Sequence, residues 1–378
     1  MSGGYMKRFR FVVIGLVFAA GLLFSSCAQP EQAGKPLNAT DKPVVFTLDS
    51  TEKPEQTAQI SLAEPTVIPS VATAEATSSQ PDGKGVVQFT IVLHLEGWSD
   101  GENEKSFTRH ATQLRDYADL FEQYHATMTL EAKEIIDGCI RWGDNVLLEM
   151  QNRGHVVSIH ADAGGNKNAT VKSMVKTLDE MQENLLTLGI QTSAASGVAS
   201  KANWVEACEK AGIDTVSCMV EFGLWSLDPE LRPSSFEPYD NPAQGHGPYP
   251  FELEERVHPW IAGNGSDWIV NDPNGSVVII PTGLSLNGAS GELNGTNEFQ
   301  SEFTQEDINA WREALPRVIA ASDSASVNTF YAVWSFGQAV DMDLLEEWLA
   351  LIDEYVQAGS IRWSTIPQMA QLYRDSLE

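Results

Sequence analysis

The stretch Asn145–Gly165, NVLLEMQNRGHVVSIHADAGG, constrains the fold of this 378-residue chain more than any other. Asp144 is positioned to cap a helix by accepting a backbone N–H. Val146, Leu147 and Met150 give that helix an apolar stripe, and Gly154 suits the left-handed position at which helices stop. Val156, Val157 and Ile159 then make a short buried strand that runs out into glycines. Residues i and i+2 of a strand point to one side, so His160 and Asp162 face the same place at its C-terminal end. In α/β barrels the active site gathers at that end.

The rest of the chain from Val86 onward repeats this alternation. Val86–Leu95 is a continuous apolar strand, long enough to be buried on both faces, and it ends in His94-Leu95-Glu96-Gly97-Trp98. His94 and Glu96 are a second i, i+2 pair at a strand end. A helix over Phe107–Tyr124, a strand over Ala126–Leu130 and a long helix over Val171–Leu188 surround the opening stretch. A weak strand at Ile190–Ala194, a helix at Ala202–Ala211 and a strand at Ile213–Val220 follow. Residues 222–275, rich in proline and aromatics, read as a loop insertion over the mouth. Val277–Ile280 is a strand and 283–303 a Gly/Asn-rich loop. Thr304 and Asp307 form a capping-box signal for a helix through Ile319. The chain closes with a strand at Asn328–Trp334, a helix at Asp343–Val356, a strand at Ser360–Trp363 and a last helix from Thr365. Such alternation means a parallel sheet, and this many units without GxGxxG favour a barrel over a doubly wound sheet.

The N-terminus has a different composition. Lys7, Arg8 and Arg10 precede an apolar run from Phe11 to Phe24, and Ser25-Ser26-Cys27 follows, so residues 1–27 read as an export signal. It resembles a bacterial lipoprotein signal, which implies lipidation of Cys27 and anchoring to a bacterial membrane at the cell surface or in the periplasm. Residues 28–84, rich in Pro, Thr, Ser, Ala, Glu and Gln, read as a disordered tether. The net charge of −28 repels phosphate-rich partners, so nucleic acid is excluded as a partner. Cys139, Cys208 and Cys218 have no CxxC spacing. Cys208 and Cys218 are either one disulfide of an exported protein or two small buried apolar residues.

The order of elements over residues 86–378, with Arg153-Gly154-His155 leading into a strand that ends at His160, resembles the polysaccharide deacetylases of carbohydrate esterase family four (the NodB-homology domain). "LFEQYHATMTLEA", "WVEACEKAGIDTVS" and "LLEEWLALIDEYVQAGSIRWSTIPQMAQLY" are similar to further segments of that family. The resemblance implies a distorted (β/α) barrel of about seven parallel strands. It also implies a metal-dependent hydrolase acting on acetylated carbohydrate polymer or oligosaccharide, with a divalent ion, zinc by preference, as cofactor.

The family's motifs are only partly present. Gly164 stands where its second metal-binding histidine would be. Aligning its first motif on Gly97 puts Glu96 in a metal position, and a variant register puts His94 in the base position. The expected metal ligands are therefore His94, Glu96 and His160, with Asp162 and His94 as catalytic residues. Arginine is missing from Ser196–Lys201, and Tyr331-Ala332-Val333-Trp334 lacks the family's late histidine. His258-Pro259-Trp260 carries those letters inside the insertion. Trp98, Trp260, His258 and Trp334 are the expected substrate-binding residues, since indole rings stack on the apolar faces of sugars. A small satellite core pinning the insertion is the competing reading for its aromatics. The missing histidines keep a second functional reading open, a catalytically degenerate carbohydrate-binding lipoprotein of the same fold. Cys27→Ser is expected to release the chain from membranes into the soluble fraction on cell fractionation. Retention of the variant in the membrane through residues 1–26 would rule out a lipid anchor.

Overall fold

The computed structural model describes residues 84–95, 99–165, 168–234, 236, 251–295, 302–336 and 340–378. The export signal, the tether, Cys27, Glu96 and Trp98 lie outside the described residues.

Nine parallel strands and one antiparallel strand form a single sheet among the described residues. They are β1 (Val87–Leu95), β2 (Met128–Ala132), β3 (Val156–His160), β4 (Ala194–Ser196), β5 (Thr215–Val216), β6 (Trp260–Ala262), β7 (Val277–Ile279), β8 (Leu284–Ser285), β9 (Asn328–Ser335) and β10 (Ile361–Trp363). Their order is β6-β7-β5-β4-β3-β2-β1-β9-β8, with β10 also on β1. Only β6 runs antiparallel, on β7. The helices are α1 (Glu104–Gln123), α2 (Glu134–Trp142), α3 (Val146–Asn152), α4 (Val171–Thr187), α5 (Trp204–Lys210), α6 (Ala289–Leu293), α7 (Gln305–Ala321), α8 (Met342–Gln357) and α9 (Ile366–Asp375). Four of these strands and helices escape the sequence periodicity: α2, β6, β8 and α6, each short or set in a glycine- or proline-rich context that masks it.

β1 is the hub. Its Val87–Phe89 half pairs with β10, its Ile91–Leu95 half pairs with β2 on the same edge, and β9 runs along the other edge from Val87 to His94. Val87, Phe89, Ile91, Val92, Leu93 and Leu95 are all fully buried, which explains the unbroken apolar run.

The ladder of hydrogen bonds does not close, yet the sheet is curled. β9 and β5 are five ladder steps apart, about 24 Å in a flat sheet. Nevertheless Tyr331 Oη on β9 accepts the backbone N–H of Cys218, just past β5, at 2.7 Å. Across the same gap Thr329 N donates to Val257 O at 2.7 Å. Val92, Val278, Ile280 and Tyr331 share one apolar cluster with Ile366, Met369 and Ala370 of α9. Strands from opposite ends of the sheet thus line one interior, and α9 fills part of it. The fold is an α/β distorted barrel.

Local chemistry sets the element ends largely as the sequence suggests. Gly154 is left-handed at φ 98° after α3, and the Thr304–Asp307 capping box opens α7. The cap of α3 is a correction. Asn145, not Asp144, accepts the N–H of Leu148, because Asp144 is drawn off by Arg115 at 2.7 Å. All three described cysteines are free and buried, so Cys208 and Cys218 form no disulfide.

His155 is structural, as its place in the turn suggests. Its Nδ1 accepts the backbone N–H of Met128 at 3.2 Å, joining the starts of β2 and β3. Burial pulls its imidazole down to about 4, with Glu122 opposing and Arg153 reinforcing the shift. A lowered folded value favours the neutral ring. The stability it contributes is therefore present above the unfolded value near 6.5 and is lost as pH falls through 6.5 towards 4. Between pH 7 and pH 4 the loss traceable to this ring should be about 3 kcal/mol. Urea titrations across that range should show a shallower decline in His155→Asn than in wild type; parallel declines would refute the assignment.

Candidate functional site

Side-chain alternation brings polar groups to one end of the barrel. Val92 and Tyr331 point into the interior cluster, so His94, two residues on from Val92, points the same way one pleat higher. Strand register sets His94 of β1 opposite Glu131 of β2, and His160 of β3 opposite Ser196 of β4. The imidazoles of His94 and His160 meet with ring centroids 4.5 Å apart, tilted by 35°.

Glu131 lies beneath them with no solvent exposure. His94 Nε2 is 2.8 Å from Glu131 Oε2. The Ser217 hydroxyl donates to Oε1 at 2.5 Å, and the Ser196 hydroxyl donates to Oε2 in a short hydrogen bond. Burial alone would push this carboxyl up. The two histidines and their hydrogen bonds outweigh it and hold the group well below the usual carboxylate range. Glu131 is thus an anion in the interior.

The chain of contacts runs on to the surface. His160 Nδ1 lies 2.8 Å from Ser196 Oγ, and His160 Nε2 lies 3.2 Å from Asp162 Oδ1. Asp162 is exposed and takes Lys133 Nζ at 2.8 Å on its other oxygen. Burial of part of the group opposes ionisation, but His160 and Lys133 prevail and hold Asp162 well below the ordinary range. Ser196, His160 and Asp162 have the composition of a nucleophilic triad. Ser196 is fully buried and its proton is committed to Glu131, so it bridges two groups and cannot attack a substrate.

Two residues here have backbone conformations that L side chains rarely adopt: Asp162 at φ 45° and Cys218 at φ 52°. The ligating atoms of His94, Glu131 and Cys218 lie within 4.8 Å of one another, and two of the three residues are buried. An imidazole, a carboxylate and a thiol are a donor set that suits a borderline divalent ion such as zinc. The residues therefore fit a metal, although the set differs from the expected His94, Glu96 and His160. Burial and the nearby Glu131 carboxylate push the Cys218 thiol far above its ordinary range.

No family model matches the chain, and no curated protein matches it. Similar solved structures include Puue allantoinase, with 13% identity and a TM-score of 0.49 over 79% of this chain and 95% of that one. A 4-alpha-glucanotransferase from Thermococcus litoralis is similar at 11% identity and a TM-score of 0.44, over 76% of this chain and 40% of that one. An alpha-mannosidase from Enterococcus faecalis V583 is similar at 11% identity and a TM-score of 0.40, over 77% of this chain and 29% of that one. The chain thus spans less than half the length of either carbohydrate-acting protein.

Of the residues expected from sequence, His94, His160 and Asp162 come together. Glu131 was missed, although a single carboxylate ending the apolar strand Met128–Ala132 was a readable signal. Ser196, Ser217 and Cys218 had no such signal. Three substrate-binding expectations need correction. Trp334 is buried on the outer face of β9 against Tyr117 of α1, ring centroids 4.8 Å apart, because it alternates with inward Val333. Trp260 alternates with inward Ile261; it stacks on Trp268 at 6.3 Å and donates its indole N–H to Trp268 O at 2.6 Å. Trp268 belongs to the main core and Trp260 packs against it, so these aromatics extend that core rather than form a separate one. His258 is exposed, with Nδ1 3.4 Å from Val327 O before the first residue of β9, whereas His94 pairs with Ser335 at its last. About 23 Å of strand separates the two levels.

Gly164 explains the absent second histidine. A Cβ at this position would overlap the carbonyl of Ala199, backbone that has nowhere to go. The loop after β3 lies flat on the loop after β4, pinned where Ala163 N donates to Gly197 O at 2.9 Å. Gly164→Ala should lower stability by roughly 1–3 kcal/mol, measured as a shift in the urea midpoint, and Gly164→His by more. An undiminished midpoint in Gly164→His would contradict this close packing.

Proposed function

We propose that this chain is an exported, lipid-anchored hydrolase that removes acyl groups from carbohydrate, with a divalent metal at the His94–Glu131 site. The observation that carries the proposal is the meeting of two imidazoles, 4.5 Å apart, over a fully buried carboxylate at the C-terminal ends of β1–β3. The carbohydrate class rests on the resemblance carried by Arg153-Gly154-His155, His160 and the order of elements. The anchor rests on the basic start, the apolar run and Ser25-Ser26-Cys27.

His94 and Glu131 would hold a divalent ion, which when bound would supply Lewis acidity towards an acyl carbonyl. The protein's own groups supply the proton chemistry. Asp162 is ionised at the rim and accepts a proton from the attacking water, while His160 Nε2 at 3.2 Å keeps its carboxylate in line. Lys133 fixes the other oxygen of Asp162. Ser196 and Ser217 fix Glu131, so the ligand does not rotate away.

Two observations favour a second reading, a barrel that binds glycans without turnover. Gly164 leaves no room for a further histidine, and Glu131 is already satisfied by two hydroxyls and an imidazole. Acetate release from acetylated oligosaccharides separates the two. The hydrolase reading expects release that stops with a chelator and falls roughly 10²–10⁴-fold in Asp162→Asn. Wild type that binds the oligosaccharide yet releases no acetate, with or without added zinc, would establish the binding module instead.

A further inference from the structure

We propose that Cys218 is a metal ligand, completing with His94 and Glu131 a mixed imidazole–carboxylate–thiolate centre that selects zinc over magnesium or calcium. The inference rests on the hydrolase reading only for the use of the metal; the centre itself is argued from geometry.

The three ligating atoms lie within 4.8 Å of one another. Two ligands at 2.0–2.3 Å from a tetrahedral ion lie about 3.3–3.8 Å apart. Side-chain movements of up to about an ångström therefore bring all three onto a common ion. His94 Nε2 and Glu131 Oε2 are already 2.8 Å apart, on adjacent strands in direct register.

Cys218 is aimed at this point by an uncommon backbone. It sits at φ 52°, and its N–H is held at 2.7 Å by the hydroxyl of fully buried Tyr331 from the far side of the barrel. The other two described cysteines belong to the outer core. Cys139 lies on α2 and Cys208 on α5, both among apolar side chains.

Charge supports the same assignment. Glu131 is fully buried, and among the described residues its hydrogen-bond and ion-pair partners are Ser196, Ser217, the histidines and Cys218 itself, none a permanent cation. A divalent cation with one carboxylate and one thiolate is neutral overall. On binding, the Cys218 S–H bond breaks, the sulfur keeps the electron pair and binds the ion, and the proton leaves to solvent. His160 is excluded from the ligand set because Ser196 and Asp162 occupy its two nitrogens. Magnesium and calcium prefer all-oxygen shells, whereas a thiolate–imidazole pair suits zinc and cobalt.

The test uses the full chain, stripped with a chelator and titrated with cobalt(II). The expected result is equimolar uptake with a near-ultraviolet thiolate-to-cobalt charge-transfer band, both prevented by prior zinc but not by magnesium. Cys218→Ser should lose the band and bind cobalt roughly tenfold or more weakly. His160→Ala should keep the band. Wild type that takes up no cobalt, or takes it up without the band, overturns the proposal whatever the variants do. Uptake with the band in a protein that releases no acetate supports the centre and sinks the hydrolase reading alone.

Discussion

A carboxylate buried in a protein interior must be met by donors from every side, and Glu131 meets that condition only because the sheet is bent. Ser217 follows β5, three ladder steps from β2, or about 14 Å in a flat sheet. Its hydroxyl nonetheless reaches Glu131 Oε1 at 2.5 Å. Ser196 comes from β4 and His94 from β1. One charge therefore ties four strand ends together. Flattening the sheet would strand an anion in an apolar interior, a cost of several kcal/mol for an unpaired buried charge. Curvature and site are thus one constraint expressed twice.

The loops around this charge are packed for close approach. Gly197 is left-handed at φ 65°, and a Cβ on it would lie 2.6 Å from Asp162 N. That contact, with the flush packing at Gly164, holds Asp162 in its positive-φ conformation beside His160. The β1–α1 connection is held by a second buried pair. Asp100 is fully buried, its carboxylate 2.8 Å from His110 Nδ1, while Trp142 Nε1 donates to its carbonyl at 2.7 Å. This pairing gives His110 a structural role.

The insertion after β5 is held by aromatic packing and one buried ion pair. Trp268 is fully buried against Trp204 of α5 at 5.9 Å, and Trp260 stacks on its other side. Arg256 binds Glu292 of α6 at 2.6 Å and donates to Gly283 O at 3.1 Å. Indoles that a sugar could have used are spent on holding the segment to the barrel. Surface aromatics and core aromatics look alike in a sequence, and only the neighbours distinguish them.

Local rules settled a large part of this protein in advance. Apolar runs with period-two or helical spacing, glycine stops and capping boxes located the strands at 87–95, 156–160 and 328–335 and the helices α1, α4, α7 and α8. Strand alternation put His94 on the same side as Val92, a relation between residues one pleat apart. His160 and Asp162 meet as expected, but Asp162 lies past the end of β3 at φ 45°, so loop packing sets that contact. Relations across the barrel had no local signature. Glu131 meeting Ser217, Cys218 turning towards Glu131 and Tyr331 reaching Cys218 join residues 86 or more positions apart. Trp334 and Trp260 facing outward, and Gly164 lying flush against Ala199, likewise depended on which element lay alongside. The sequence determines which way a side chain leaves its strand. What it meets there is decided by the curl of the sheet, which follows from the summed packing of all ten strands and α9.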